Sequence, residues 1–547
     1  MRCSMFFWPL LCLFAVTPVR AETPDLPHYL VQVQPVGRLL KTVKEFARKY
    51  AAPQLGEQAG EKTGAEIEEQ LVAVLGMGWR EAIDESKPIF LYGRIAEAVE
   101  KNSVVLMLPV KSERAAREHL KHMNARLADS VKGCQKCLLP GMNQPIYLRF
   151  AEGYLYTSFL DDKSLAEDRL PAAAKLLDPK EKAAVALRLH FDRVPKEVKD
   201  KTVAALDEIA RKGLQSAEEL LPNAVKLADH RGWKAAVQNG KELALQLDLV
   251  PATGEVKAFL QLTPQEGSEL AILLAGLVRG PSLGAALVGG EPLGAVHARL
   301  SLSEEIGGFF LTQGRQILKE SEEKIEDEKV RQAFSSVAKA LEPTIKEGVL
   351  DTALVLHGPG PKQRYAAVLA LQLKDSLAVE KAGKKLIGFL PANHPLRLLA
   401  IDSDTVAGMK VHRYPLGEMV PEPIQTLFGK TPAAIAFRKD GIVAAYGEDA
   451  EEHLGRALAV DLAKAAPLAI RADGDAKRLA DLIARGDPKA SAAERERIKK
   501  FADLFEGRLR LFELSLSGGQ TLQMRASINL LVLPRRSATP NDNRTKS

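Results

Sequence analysis

Cys134 and Cys137, three residues apart in GCQKCLLP, are the side chains of this chain best spaced for chemistry. A pair at this spacing can close a disulfide in an oxidising compartment, hold a metal, cycle as a redox couple or stay as free thiols. A redox couple needs its first cysteine at a helix N-terminus that follows a strand. The preceding residues, ARLADSVKG, instead read as a helix end stopped by Gly133. Covalent haem needs a histidine after the second cysteine, and Leu138 stands there. The expectation is a disulfide between Cys134 and Cys137. His119 and His122 share a helix face suited to zinc. A helix unbroken to Gly133 would hold them about 18 Å from the cysteines, too far for one ion. They read as part of a basic, solvated face with Lys111, Arg114, Arg117, Lys121 and Arg126.

Other constellations are incomplete. Gly429-Lys430-Thr431 suggests a phosphate loop, but the glycine required five positions earlier is Ile424. The loop from Gly358 to Lys362 has prolines where backbone N–H donors are needed. No Gly-x-Ser-x-Gly elbow or His-Glu-x-x-His helix occurs. Asp402 and Asp404 in AIDSDT could take a divalent cation, but the pattern reads as a turn. His190, His357 and His412 show no partner spacing. A triad gathered from distant positions stays open. No catalytic, cofactor-binding or metal-ligating residue is assigned, and no cofactor is expected.

The beginning of the chain carries an export pattern. Arg2 is a basic start, Met5 to Val16 is an uncharged apolar run, and Val19-Arg20-Ala21 fits a cleavage site. The run is shorter than the ~20 residues that span a bilayer. Cys12 follows Leu11, where a lipid-attachment site wants a small residue. The apolar Leu270 to Val278 stretch is stopped by Arg279, Gly280 and Pro281 and reads as a buried helix, so no transmembrane segment is expected after cleavage. With 46% apolar and 27% charged residues among 547, the chain has the composition of a folded protein. Net charge is +6, and losing Arg2 and Arg20 lowers it by two, too little to argue for nucleic acid. Aromatic residues are 5%, few for stacking on sugars or bases.

The elements that would position these residues recur. A strand at Tyr29 to Gln34 and a helix near Gly37 to Ala51 answer to Ala295 to Ser301 and a helical pattern from Glu304. PIYLRFAEGYLYTSFLDD from Pro145 and PAAIAFRKDGIVAAYGED from Pro432 each give strand, glycine turn (Gly153, Gly441), strand and acidic helix start. Both halves end in alternating hairpins, at Glu242 to Leu262 and Leu509 to Leu530. The pattern implies an α+β fold of two tandem similar copies, each mainly antiparallel sheet with packed helices. The boundaries read as signal peptide 1–21, first copy 22–280, a Gly/Pro-rich linker 281–293, second copy 294–533 and a polar tail 534–547 without a folding pattern.

With these hairpins, the signal and a mid-chain LTPQEGSELA, the chain resembles a family of exported, internally duplicated proteins of unknown function, found mainly in planctomycete-type bacteria. That resemblance carries no activity. The expected function is a non-catalytic binding or structural protein of the periplasm or cell envelope, or a secreted one. Its partner would be an envelope protein, lipid or polymer held between the copies. The alternatives are a hydrolase or metalloenzyme with a dispersed site, and a thiol-redox or metal-handling protein using Cys134 and Cys137.

Overall fold

The computed structural model describes residues 27–46, 76–98, 102–129, 133–142, 144–176, 181–215, 231–278, 280–289, 292–301, 322–486 and 510–529, with isolated positions elsewhere. The expected signal peptide and C-terminal tail lie outside the described residues.

The fold is α+β: one twenty-stranded antiparallel sheet with helices packed on it. The first ten strands are β1 (Tyr29–Val33), β2 (Ile89–Arg94), β3 (Ser103–Pro109), β4 (Arg126–Asp129), β5 (Gln135–Leu138), β6 (Ile146–Ala151), β7 (Tyr154–Ser158), β8 (Val185–His190), β9 (Gly240–Val250) and β10 (Glu255–Pro264). The second ten are β11 (Gly294–Ser301), β12 (Val349–His357), β13 (Ala366–Gln372), β14 (Ala400–Val406), β15 (Met409–Tyr414), β16 (Ala433–Arg438), β17 (Gly441–Gly447), β18 (Leu468–Asp475), β19 (Arg510–Ser517) and β20 (Leu522–Asn529).

Pairing runs β4-β5-β6-β7-β3-β2-β1-β8-β9-β10 through the first set. In the second set it runs β14-β15-β16-β17-β13-β12-β11-β18-β19-β20, the same order. β10 pairs antiparallel with β20, Ala258 opposite Ala526, and so joins the two sets edge to edge. The hairpins expected from alternation therefore meet at the centre of one sheet.

The sheet has two unlike faces because its strands alternate. On one face, Phe90, Tyr92, Met107, Tyr154 and Tyr156 form the core of the first set. On the same face of the second set, Ala353, Val355, Ala370, Val443 and Ala445 pack beneath the helices 283–287 and 450–458. Residues 281–293, expected as a linker between bodies, are thus partly core. Leu283, Val288 and Leu293 are fully buried.

Two local expectations fail. The helix that begins at Glu113 ends at His122 rather than running to Gly133. Asn124 takes a left-handed backbone (φ 56), a conformation Asn tolerates and a helix does not. Residues 126–129 then form β4, which pairs antiparallel with β5. Asp402 and Asp404 lie on β14, an exposed edge strand, not in a simple turn. The register slips between Ala400 and Asp404, and Asp402 takes φ 51 at that irregularity.

Candidate functional site

No bond joins Cys134 and Cys137, expected as a disulfide, in this structure; both side chains are buried. Residues i and i+3 of an extended segment point to opposite faces and span roughly 10 Å, beyond the ~7 Å Cα limit of a bridge. Cys134 packs with Phe90, Met107 and Tyr156, its Sγ 3.7 Å from the carbonyl oxygens of Asp162 and Leu165. Cys137 packs with Leu120, Ile146 and Leu148. Burial raises the pKa of both thiols, so neither is primed as a nucleophile. The early end of the 113–122 helix removes the distance argument against a zinc site with His119 and His122. Among the described residues, however, these four side chains do not converge.

A serine, a histidine and an aspartate do meet, from positions no spacing connects. Ser282 Oγ lies 3.2 Å from His297 Nε2, and Asp351 Oδ1 lies 3.4 Å from that same nitrogen. A hydrolytic triad needs its carboxylate on the opposite nitrogen, to fix the tautomer. His297 Nδ1 has no hydrogen-bond partner among the described residues. All three side chains are at most 5% exposed. They close the N-terminus of the buried 283–287 helix: Ser282 Oγ accepts from Ala285 N–H, Asp351 Oδ1 from Gly284 N–H, and Gln372 Oε1 from Leu283 N–H. Arg299 balances Asp351 at 3.5 Å and donates to the carbonyls of Gly280 and Pro281. The cluster is a helix cap with a neutralised charge, closed to substrate.

Glu380, Asp402 and His412 form the one group among the described residues whose ligand atoms are close enough to hold a metal. Glu380 comes from the 376–389 helix, Asp402 from β14 and His412 from β15. Lys384 already occupies the cation position, its Nζ 2.6 Å from Glu380 Oε1 and 2.7 Å from Asp402 Oδ1. His412 Nδ1 accepts from Asp402 N–H at 3.0 Å, which leaves the ring proton on Nε2, 3.2 Å from Glu380 Oε1. A neutral imidazole has one free lone pair, and here the backbone uses it. Burial, with Lys384 next, lowers the His412 pKa, and the Lys384 hydrogen bond lowers that of Asp402. The donor set therefore suits the lysine and does not fit a resident metal. Its chemistry is to clamp an edge hairpin to a helix.

The largest feature is a surface. Leu247 on β9 stands opposite Ala258, Ala258 opposite Ala526, and Ala526 opposite Leu514, so the row crosses the β10–β20 joint. It continues through Ala472, Val296, Leu354 and Leu369. Two residues along, Leu245, Leu260, Met524, Leu516 and Ile470 form a parallel row. The opposite face of the same strands carries Gln246, Arg525, Ser515 and Arg471. One end of the apolar face is covered by the 269–277 helix through Leu270 and Leu274. At the other end the 376–389 helix lies against β16. Between them Val296 (51% exposed), Leu354 (42%) and Leu369 (50%) remain open, with Ile272 and Leu377 exposed on the flanking helices. The 270–278 stretch, expected to be buried, is therefore buried on one side only.

Comparison of the chain with protein-family models, with curated proteins and with solved structures finds no match. Sequence reasoning missed the Glu380–Lys384–Asp402–His412 group and the continuity of the apolar rows. The alternation of LALQLDL and FELSLS signalled the rows; nothing signalled the group.

Proposed function

We propose that this chain is an exported, internally duplicated envelope protein that binds or scaffolds rather than catalyses, and that it binds through the open apolar face running across its central joint. One observation carries the reading: the unbroken row from Leu247 through Leu514 and Val296 to Leu369, half of it exposed. The backbone groups of this floor are spent on neighbouring strands, and its side chains carry no donors or acceptors. Recognition there is by apolar contact, so the ligand presents an apolar stripe: an envelope lipid or the apolar side of an envelope protein. Burying a leucine is worth about 1.5–3 kcal/mol, so each half-exposed one leaves part of that for a ligand. The matching strand order of the two sets supports duplication, and the Val19-Arg20-Ala21 pattern supports export.

The test is to incubate mature protein and its Leu354→Asp/Leu369→Asp variant with vesicles of envelope lipid and, separately, with delipidated envelope extract. The expected result is retention of one class by the native protein and at least tenfold less by the folded variant. Equal retention by both, or turnover of a chromogenic ester or peptide substrate lost on a single His or Ser substitution, would overturn the reading. The thiol-redox alternative has two buried thiols in separate core clusters against it.

A further inference from the structure

His357, the last residue of β12, and His453, on the 450–458 helix, lie face to face with ring centroids 4.2 Å apart and planes 17° from parallel. Both rings are half-buried, and His453 Nδ1 has no hydrogen-bond partner among the described residues. β12 runs on from His357 into the loop Gly358 to Arg364, which is held from several sides. The Glu448 carboxylate, just before the helix, accepts from Lys362 N–H at 3.0 Å and Arg364 N–H at 3.1 Å. Arg478 Nε donates to the Gly358 carbonyl at 2.8 Å, and Arg485 donates to the carbonyl and Oε1 of Gln363. Tyr365 donates to Asp481 Oδ2 at 2.6 Å. The stacked rings close the remaining side, where the loop leaves the strand.

We propose that the His357–His453 stack is an acid-sensitive latch: with both rings neutral it holds loop 358–364 against the 450–458 helix, and protonation forces the rings apart and frees the loop. Charge decides the direction. A proton placed on His357 faces the His453 ring and the guanidinium groups of Arg456 on the 450–458 helix and Arg478 on the 476–486 helix, and one placed on His453 faces Arg456. The opposing carboxylates near His453 are Glu452, already paired with Arg456, and Asp449. A second proton would set two imidazolium ions 4.2 Å apart. Burial first, then the His453 ring and the two arginines, push His357 down to about 4, and burial with Arg456 lowers His453. The unfolded or open chain, with histidines near 6.5, therefore binds more protons than the closed one as pH falls below that value. Closure is complete above about 6.5 and is lost toward 4. This inference stands apart from the binding reading, since it concerns the opposite face of the sheet.

The experiment is amide hydrogen exchange of full-length mature protein at pH 7, 6, 5 and 4.5, corrected for intrinsic rates, with the β16–β17 hairpin as internal reference. Loop 358–364 should lose at least tenfold protection over this range while the reference holds. The His357→Phe/His453→Phe variant, which keeps a ring stack without protons, should stay protected. Loss of protection in that variant over the same range, or a wild-type loop protected throughout, would defeat the proposal. Should the double variant not fold, ring-proton NMR of the wild type decides: both histidines must titrate below the ordinary imidazole value, and an ordinary value for either refutes the latch.

Discussion

Phe90 on β2 and Ala353 on β12 hold matching places in the repeated strand order, and the difference in their size is made up by Leu283. Phe90 stands between Gln32 and Met107; Ala353 stands between His297 and Ala370. Tyr154 opens β7, and Gly441 opens β17. A Cβ on Gly441 would lie 2.5 Å from Leu283 Cδ2. The first set fills its core with aromatic rings. The second uses small residues and inserts the 283–287 helix from outside its strands. Leu283→Ala should therefore cost about 2–5 kcal/mol, the range for a buried leucine in a core that cannot collapse. Urea unfolding followed by circular dichroism measures it; a loss below ~1 kcal/mol would show that the helix is not a filler.

Asp351 gives a sharper test of the same region. It is fully buried, accepts Gly284 N–H at 3.0 Å and faces Arg299, which is 4% exposed. Removing one member of a buried pair leaves the other charge uncompensated, at about 3–5 kcal/mol. Asp351→Ala should lose that much and Asp351→Asn, which keeps an acceptor for Gly284, less. Equal thermal shifts for the two variants would show that the charge of Asp351 is not what matters.

The thiols make a prediction that reverses the sequence expectation. Under denaturing, non-reducing conditions Cys134 and Cys137 should both be counted as free thiols. In the native protein both should react with a thiol reagent at least a hundredfold more slowly than a small-molecule thiol, because both are at most 3% exposed. A count of zero would restore the disulfide and would require the 126–138 hairpin to rearrange.

How much of this was readable depended on whether the signal was local. The hairpins at Gly153 and Gly441 announce themselves by alternation around a turn residue; at the 113–122 helix the structure adds a cap, Ser112, whose side chain accepts from Ala115 N–H. β4 did not: four residues are too few to show a period, and the stop at Asn124 is one backbone angle. Glu380, Asp402 and His412 are brought together by a register slip on an edge strand, which spacing in the chain does not encode. The apolar rows lie between these cases. Their alternation is local, but their continuity is set by the pairing of eight strands.

The Lys384 group carries the last prediction. Burial opposes the lysine's charge, yet the hydrogen bonds it donates to Asp402 and Glu380 outweigh it and raise its pKa. Asp402 is held below the ordinary carboxylate range by the same lysine. A carboxylate with a depressed pKa stabilises the fold above its unfolded value and loses that contribution as pH falls through the folded one, whereas His412, whose pKa burial lowers, weakens the clamp earlier, as pH falls below about 6.5. At neutral pH, zinc or manganese at millimolar concentration should leave the melting temperature of the wild type unchanged, because the ammonium fills the site and the backbone uses His412 Nδ1. Lys384→Met should lower stability by roughly 1.5–3 kcal/mol, the worth of hydrogen bonds to a charged group. The variant should then regain part of the loss when a divalent cation takes the vacated place between Glu380 and Asp402. Differential scanning fluorimetry with and without metal, repeated in chelator, reads both effects. A wild-type melting temperature that rises with metal would mean that Lys384 yields its position, and that the group is a metal site after all.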